Sequence, residues 1–213
     1  MKKLLLLLII ACAPLSSQAL AQQWEGAIKL GTASTTFHGD LAAGETVWSR
    51  RLGISAGTAV GLKLPYGFTP SVELLYARMG ASTPVIFLDI PATLQSDLTY
   101  LMATLLLQYR LHTGRYVYPR IFAGPTYAHQ IGAVVSVTAR DGLGVIVEQD
   151  DSVEKVDYGF TIGGALDMEI GSQVATLELR YYLGQRDITK PNPELGESEL
   201  RNAGVTVMAG LVF

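Results

Sequence analysis

The sequence predicts an all-β protein, an eight-stranded antiparallel up-and-down transmembrane β-barrel of the outer-membrane type. Three observations predict it. Apolar residues alternate with small or polar ones over long stretches of the chain. The connections between these stretches alternate between short and long. The chain also opens with a segment typical of exported proteins.

The N-terminal segment has the three parts of a secretory signal peptide. Met1-Lys2-Lys3 is a basic start, Leu4 to Ala11 is an unbroken apolar run, and Ala19-Leu20-Ala21 is an A-x-A cleavage site. The run is too short for a membrane-spanning helix. We therefore predict a signal peptide over residues 1–21 and an outer-membrane β-barrel domain over 22–213. An alternative is a lipobox at Ile9-Ile10-Ala11-Cys12, which would make Cys12 a lipidated N-terminus.

Composition narrows the class of protein. The chain has 213 residues and a formal net charge of -3, which gives no basis for a nucleic-acid partner. Hydrophobic residues make up 49% of it and charged residues only 16%, yet no later apolar stretch is long enough for a membrane helix. Such a chain either buries a large soluble core or turns the outside of a barrel to lipid.

Period-two alternation predicts eight strands, near residues 24–37, 50–64, 67–79, 98–111, 116–129, 156–170, 174–186 and 202–213. Most reach the ~9–11 residues that a strand needs to cross a bilayer, and single-chain outer-membrane barrels have an even number of strands.

The predicted connections are sorted by length. Short links fall at 64–67, 113–115 and 171–173, and long ones at 38–49, 80–97, 130–155 and 187–201. One end of the sheet therefore carries tight turns and the other carries long loops. Outer-membrane barrels show this asymmetry, whereas a soluble barrel has no reason to sort its loops by end.

The two faces of the predicted strands differ in chemistry. One face is rich in Leu, Val, Ile and Ala; the other is small or polar and carries charges at Glu25, Lys29, Lys63, Glu73, Arg120, Asp167, Glu169, Glu178 and Arg180. An eight-stranded barrel has room inside for side chains and little else, so we expect these charges to pair in a plugged interior. A soluble lipocalin-like barrel would reverse the two faces; the export signal and the sorted loops favour the membrane barrel.

Aromatic residues are predicted near both ends of the strands, as in the interfacial girdles of membrane barrels. The short-turn end has Trp24, Tyr66, Phe68, Tyr109 and Tyr116, and the long-loop end has Tyr76, Tyr127, Tyr158 and Tyr181. Phe213 ends the last alternating strand.

Short motifs in strand order resemble the PorT-like outer-membrane β-barrel family. They are Pro70-Ser71-Val72-Glu73-Leu74-Leu75-Tyr76, Leu98-Thr99-Tyr100-Leu101 with Leu105-Leu106-Leu107-Gln108-Tyr109-Arg110, Ala123-Gly124-Pro125, Gly163-Gly164-Ala165-Leu166-Asp167-Met168-Glu169, and Leu179-Arg180-Tyr181-Tyr182-Leu183-Gly184. The resemblance covers nearly all of the chain after the signal segment. It implies the barrel fold and the outer membrane as location, and it implies no activity.

Candidate chemistry is confined to the predicted long-loop end. His38 with Asp40, Ser96 with Asp97, and His129 are the residues from which a His-Ser-Asp site could be built there. Loops are rich in such residues without being catalytic, so we expect no catalytic residues. The acidic residues Glu148, Asp150, Asp151 and Glu154 lack the spacing of a calcium loop, and we expect no metal site and no cofactor.

Two of the long loops suit contact with partners. Pro84-Val85-Ile86-Phe87-Leu88 is an apolar run, and Val134 to Thr138 with Val145 to Glu148 reads as a hairpin around Asp141-Gly142. Such a hairpin extends the barrel strands or, if it joins the wall, changes the strand count. We expect outer-membrane lipid and an envelope protein as partners.

The sequence thus favours a non-enzymatic outer-membrane barrel with a structural, adhesive or envelope-assembly role. Two alternatives remain open at this stage. One is an outer-membrane enzyme that modifies lipid A or cleaves peptides at the rim, and the other is a narrow pore.

Overall fold

The computed structural model describes residues 24–38, 49–87, 90–111, 116–139, 144–148, 154–171, 173–188 and 200–213. The predicted signal peptide at 1–21 and Cys12 lie outside these ranges. The strands are β1 Trp24–His38, β2 Ser49–Leu62, β3 Phe68–Phe87, β4 Ile90–Arg110, β5 Val117–Ala139, β6 Gly144–Glu148, β7 Val156–Ile170, β8 Gln173–Gly184 and β9 Arg201–Val212. No helix within the described ranges is long and apolar enough to span a membrane.

Eight of these strands close into a barrel, as predicted. Each pairs antiparallel with the next along the chain, β5 passing directly to β7, and β9 returns to pair with β1. The closing seam runs from Ala27 opposite Val212 to His38 opposite Arg201. At its lower end Gly26 and Phe213 exchange two backbone hydrogen bonds, of 2.8 and 2.9 Å. A Cβ on Gly26 would stand 2.6 Å from the exposed Phe213 ring, so a larger residue there would require the ring to turn aside.

The ninth strand, β6, lies outside the barrel wall. It pairs with β5 from Val134 opposite Glu148 to Thr138 opposite Gly144, and β7 takes over as the partner of β5 from His129 downward. The predicted hairpin therefore exists and extends the sheet without changing the count of eight wall strands. The predicted turn at Asp141-Gly142 lies outside the described residues.

The prediction of a long loop over 80–97 is wrong. β3 and β4 continue as a paired hairpin from Gly80 opposite Asp97 to Phe87 opposite Ile90. β5 continues beside them, with Thr99 opposite Gly132 and Ala92 opposite Ala139. Pairing satisfies backbone groups above the membrane as well as within it, and β-branched residues in this stretch favour strands. We name residues 80–87, 90–97, 131–139 and 144–148 the raised sheet.

Tight turns close the other end of the barrel. Between β2 and β3 the chain makes a 3-10 turn at Pro65–Gly67, where Tyr66 and Gly67 have φ of 66° and 83°. Between β7 and β8, Gly171 has φ of 65°, a left-handed conformation that glycine adopts without strain. Two of the three predicted short links are therefore observed; the third, at 113–115, lies outside the described residues.

The apolar face points outward, as predicted. The exposed residues include Ile28, Leu30, Leu52, Ile54, Val60, Val72, Leu105, Ile121, Ile162, Leu177, Leu179 and Leu211. Aromatic side chains border this band at both ends, and all but Tyr109 of those predicted are more than a third exposed. Tyr109 packs instead on Phe68, with the ring centroids 4.9 Å apart. An apolar band between two aromatic girdles is the outer surface of a membrane barrel.

Placing a charge in this band tests which face meets lipid. Ile162 lies at mid-strand in β7 and is 55% exposed, so Ile162→Arg would put a guanidinium in hydrocarbon. We expect it to lower the free energy of unfolding by ~2–4 kcal/mol in lipid vesicles, measured by urea titration. The control is Thr93→Arg, on an exposed position of the raised sheet, which should cost well under ~1 kcal/mol. Equal effects of the two variants would contradict a lipid-facing band.

Candidate functional site

The middle of the barrel interior holds two cations and two carboxylates that form four ion pairs. Lys29 Nζ lies 2.6 Å from a carboxylate oxygen of Glu73 and 2.9 Å from one of Glu178. The Arg180 guanidinium pairs with the same two carboxylates. All four side chains are at most 5% exposed. These charges come from β1, β3 and β8, so the network ties distant parts of the wall together.

A second group continues this network toward the short turns. Arg120 donates to both carboxylate oxygens of Asp167, at 3.0 and 2.9 Å, and to Glu178 at 3.1 Å. Arg110 lies 3.1 Å from Asp167 and 3.7 Å from Glu25. Because buried charges are tolerated only when they are paired, this arrangement is what a closed polar interior requires.

Within the interior the four cations and four anions of this network balance, and the half-exposed Lys63 lies 3.6 Å from Glu25 where the interior meets water. The network's cations are Lys29, Arg110, Arg120 and Arg180, and its anions are Glu25, Glu73, Asp167 and Glu178. Two of the predicted interior charges lie at the lower rim instead: Glu169 is exposed, and Lys63 is exposed although its Nζ lies 3.6 Å from the interior carboxylate of Glu25. Lys63 follows the last residue of β2 and Glu169 is next to last in β7, where the wall ends and water begins. Alternation alone does not locate that boundary.

The upper half of the interior is apolar, which the sequence analysis missed. A buried cluster there includes Phe37, Leu75, Met79, Leu98, Tyr100, Met102, Tyr182 and Met208. The stretch from Leu98 to Leu107 in β4 could have indicated this apolar layer. Apart from two threonines, its residues are apolar both at the odd-numbered and at the even-numbered positions. Such a strand is buried on one face and lipid-facing on the other, and only half of its apolar residues can face the membrane.

The chain between β8 and β9 adds two side chains to this cluster. Ile188 and Leu200 are 2% and 6% exposed, and the Ile188 N–H donates to the Leu200 carbonyl at 2.9 Å. The Glu154 N–H donates to the Ile188 carbonyl at 2.8 Å, which fastens this segment to the chain before β7. The apolar cluster is thereby covered at its upper end.

One carboxylate lies among the apolar side chains. Asp157 is fully buried, and its Oδ2 accepts hydrogen bonds from the Tyr182 hydroxyl at 3.0 Å and the Asn202 amide at 2.8 Å. The same amide nitrogen donates to the Tyr100 hydroxyl at 3.1 Å. These contacts join β4, β7, β8 and β9, so the cluster is pinned by a polar bridge as well as by packing.

Little free space is left at the level of the ion network. A cavity of about 10 Å³ lies at the level of the ion network, lined in part by Glu25, Lys29, Ser71, Gln108 and Arg120. That is room for about one water molecule. Ion pairs occupy the lower part of the described interior and apolar packing occupies its upper part, whereas the prediction was a polar interior throughout.

The candidate His-Ser-Asp residues do not come together in the described structure. His38 and His129 are both exposed on the outer face, and their strands, β1 and β5, stand four places apart in the ring of eight. Ser96 is buried, while the neighbouring Asp97 lies 3.4 Å from Arg51 and from Arg78. Asp40 lies outside the described residues. The geometry thus offers no support for a catalytic site from this set.

The predicted acidic loop is only partly described. Glu154 lies 3.2 Å from Arg186, which gives it a cation as its partner. Asp150 and Asp151 lie outside the described residues. Within those that are described, no three His, Cys, Asp or Glu side chains are placed to hold a metal ion.

A closed eight-stranded sheet with an apolar outside and a paired polar inside defines a membrane β-barrel. The model of one family, the outer membrane protein beta-barrel domain, matches residues 17–190. The chain belongs to this family, and the protein is a barrel of the bacterial outer membrane.

Solved structures of small outer-membrane proteins are similar in fold. OprG from Pseudomonas aeruginosa is 17% identical, with 90% of this chain and 96% of that one covered, at a TM-score of 0.50. Ail of Yersinia pestis, bound to the heparin analogue sucrose octasulfate, is 12% identical over 90% of this chain and 99% of that one, at a TM-score of 0.47. Neisserial surface protein A is 12% identical over 87% and 95%, at 0.44. No curated protein sequence matches significantly.

Removing one interior anion tests the balance of the ion network. Glu73→Gln would leave Lys29 and Arg180 sharing Glu178, and we expect it to lower the free energy of unfolding by ~3–5 kcal/mol. Lys29→Met with Glu73→Gln restores balance and should be less destabilised than the single variant. The measurement is urea unfolding of the protein in detergent. A double variant no more stable than the single one would contradict the pairing.

Proposed function

We propose that the protein is a non-enzymatic component of the outer membrane that presents the raised sheet to a protein partner, in adhesion or in an envelope assembly. The observation that carries this proposal is the contrast between the barrel interior and the raised sheet. The described interior is filled, and the described structure that stands beyond the wall is a paired sheet with open edges.

The filled interior argues against the narrow pore. An ion crossing the barrel would meet the pairs of Lys29 and Arg180 with Glu73, and would have to separate buried charges at a cost of several kcal/mol. Beyond them lies the apolar cluster with its covering residues Ile188 and Leu200. The buried polar groups there, those of Asp157, Tyr182 and Asn202, are already bonded to one another. The barrel therefore suits a structural role better than conduction.

The open edges of the raised sheet support partner binding. In the described structure β6 pairs on one side only, with β5. On the opposite side of the sheet, the pairing of β2 with β3 ends at Ser82, so residues 83–87 have β4 as their described neighbour. Unpaired N–H and C=O groups at such edges accept an added strand, which gives affinity through backbone hydrogen bonds.

Two finer assignments belong to the same proposal. The PorT-like relationship rests on the motifs in strand order, of which Pro70 to Tyr76 lies in β3 and Gly163 to Glu169 in β7. Export by a signal peptide over residues 1–21 rests on its three-part pattern. Neither the PorT-like relationship nor the signal peptide assigns an activity to the barrel.

Electrical recording tests the pore alternative. We expect the purified protein in planar bilayers to show no steady conductance above the bare membrane, because its interior is filled by ion pairs and apolar packing. Folding is verified in the same preparation by the shift in gel mobility that closed barrels show on boiling in SDS, and insertion by co-flotation of the protein with lipid vesicles. Steady single-channel steps from folded protein would favour the pore.

Trimming the raised sheet tests the binding role. Residues 81–96 and 134–153 are each replaced by a short glycine turn in cells that display the protein, because removing 134–153 alone would leave β4 as a new open edge. Attachment of the cells to one another and to matrix-coated surfaces is then counted. We expect attachment to fall at least fivefold, since the open edge of β6 is lost. The control replaces residues 190–199, which connect β8 to β9 in the sequence.

Both variants must keep the gel shift of the folded barrel. Attachment that is unchanged in the trimmed protein, or lost equally in the control, would contradict a binding role for the raised sheet.

A further inference from the structure

The outermost strand of the raised sheet, β6, stands in line with β7 along the same side of β5. β5 pairs with β7 nearer the membrane and with β6 from Val134 opposite Glu148 upward. On the far side of this line the described backbone bonds end below β6, where the Glu154 N–H donates to the Ile188 carbonyl at 2.8 Å. The described strands therefore leave the far edge of β6 open to a further strand.

The sequence of β6 suits pairing with an identical strand. β6 is Gly144–Glu148, and three of its five residues are β-branched. It contains no lysine and no proline, the residues that commonly block edge strands. The opposite edge of the raised sheet differs, because Pro84 in β3 has no N–H to donate to an added strand.

Two copies of β6 match each other in an antiparallel arrangement about a twofold axis at Ile146. Val145 of one copy then stands opposite Val147 of the other, and Gly144 stands opposite Glu148. This register sets no two like charges of β6 opposite each other, and antiparallel pairing is slightly more stable per residue than parallel pairing. The two raised sheets would thereby join into one continuous sheet.

The direction of β6 decides where the second copy must stand. β6 descends toward the membrane from Gly144 to Glu148, antiparallel to β5. Copies in one membrane are related by rotation about its normal, which leaves their β6 strands pointing the same way. An axis perpendicular to the strands reverses the second copy. Because barrel strands tilt by only ~35–45° from the barrel axis, the reversed copy belongs to a facing membrane.

The raised sheet is tall enough for such a contact. Ile146 stands opposite Ser136, nine residues along β5 from the girdle residue Tyr127. At about 3.4 Å per residue, the centre of β6 lies roughly 30 Å along the strand beyond the girdle. Two joined sheets would hold the girdles of the facing membranes at most ~60 Å apart.

We propose that β6 binds β6 of a second copy of this protein in a facing outer membrane, so that the raised sheet holds two cells together. This inference rests on the proposed binding role of the raised sheet and names its partner. The open edge supplies backbone hydrogen bonds, and many weak contacts add up when each of two surfaces carries many copies.

Lipid vesicles of two colours that carry the purified protein test this proposal. We expect wild-type vesicles to form mixed aggregates with one another and none with protein-free vesicles. I146K and I146E should each lower aggregation with their own kind at least about tenfold, because like charges then stand opposite each other at every contact. Mixing I146K vesicles with I146E vesicles should restore aggregation, since opposite charges then meet.

The matched controls are T93K and T93E. They place the same charges at an exposed position of β4, two strands away from β6, and should leave aggregation unchanged. All variants must keep the gel shift of the folded barrel. If the Ile146 variants do not fold, the trimmed protein that lacks residues 134–153 decides the matter, because its vesicles should not join wild-type vesicles.

Four outcomes would overturn the proposal. They are wild-type vesicles that stay separate, aggregation with protein-free vesicles, aggregation with the trimmed protein, and failure of I146K and I146E to restore each other. If wild-type vesicles stay separate while trimming the raised sheet still lowers the attachment of cells to coated surfaces, the partner is a different protein. The proposed binding role then stands, and this inference fails alone.

Discussion

The rest of the structure depends on one requirement, that every backbone N–H and C=O group in hydrocarbon must find a partner within the protein. A sheet meets it only by closing, and here closure is made by β9 against β1, with Phe213 bonded to Gly26 at the lower end of the seam. Closure in turn fixes the direction of every side chain, because alternate residues must point outward or inward. The apolar exterior and the narrow interior are both consequences of that single requirement.

The closed interior then creates a problem of its own. Its volume is shared by side chains from all eight wall strands, so any charge inside is far from water and needs a partner there. The protein solves this in two layers: four cations against four anions below, and apolar packing around the bridge of Asp157, Tyr182 and Asn202 above. Because the network ties strands that are not neighbours, it stabilises the barrel as a whole and leaves little room for passage.

Sequence patterns predict a great deal of this architecture, including the eight wall strands, their two faces, two of the tight turns and the hairpin that contains β6. They fail where the membrane ends. Residues 80–97 were assigned to a loop, and Lys63 and Glu169 to the interior, because a sequence pattern carries no coordinate along the barrel axis. Ring closure also explains why His38 and His129 are far apart. Their strands, β1 and β5, lie on opposite sides of the barrel, four strands apart in either direction around the wall.

The departures from regular pairing share a location. The bulge between Arg50 and Ser55, the register shift beside Thr99, the open edge of β6 and the segment with Ile188 and Leu200 all lie toward the long-loop end. Near the headgroups water and side-chain hydroxyls can replace a lost ladder bond, as Thr35 does for Gly80, whereas hydrocarbon offers no substitute. Irregular backbone is what re-aims side chains and frees edges for binding. The same physics that enforces regularity in the lipid band therefore concentrates the surfaces available for recognition at the outer rim.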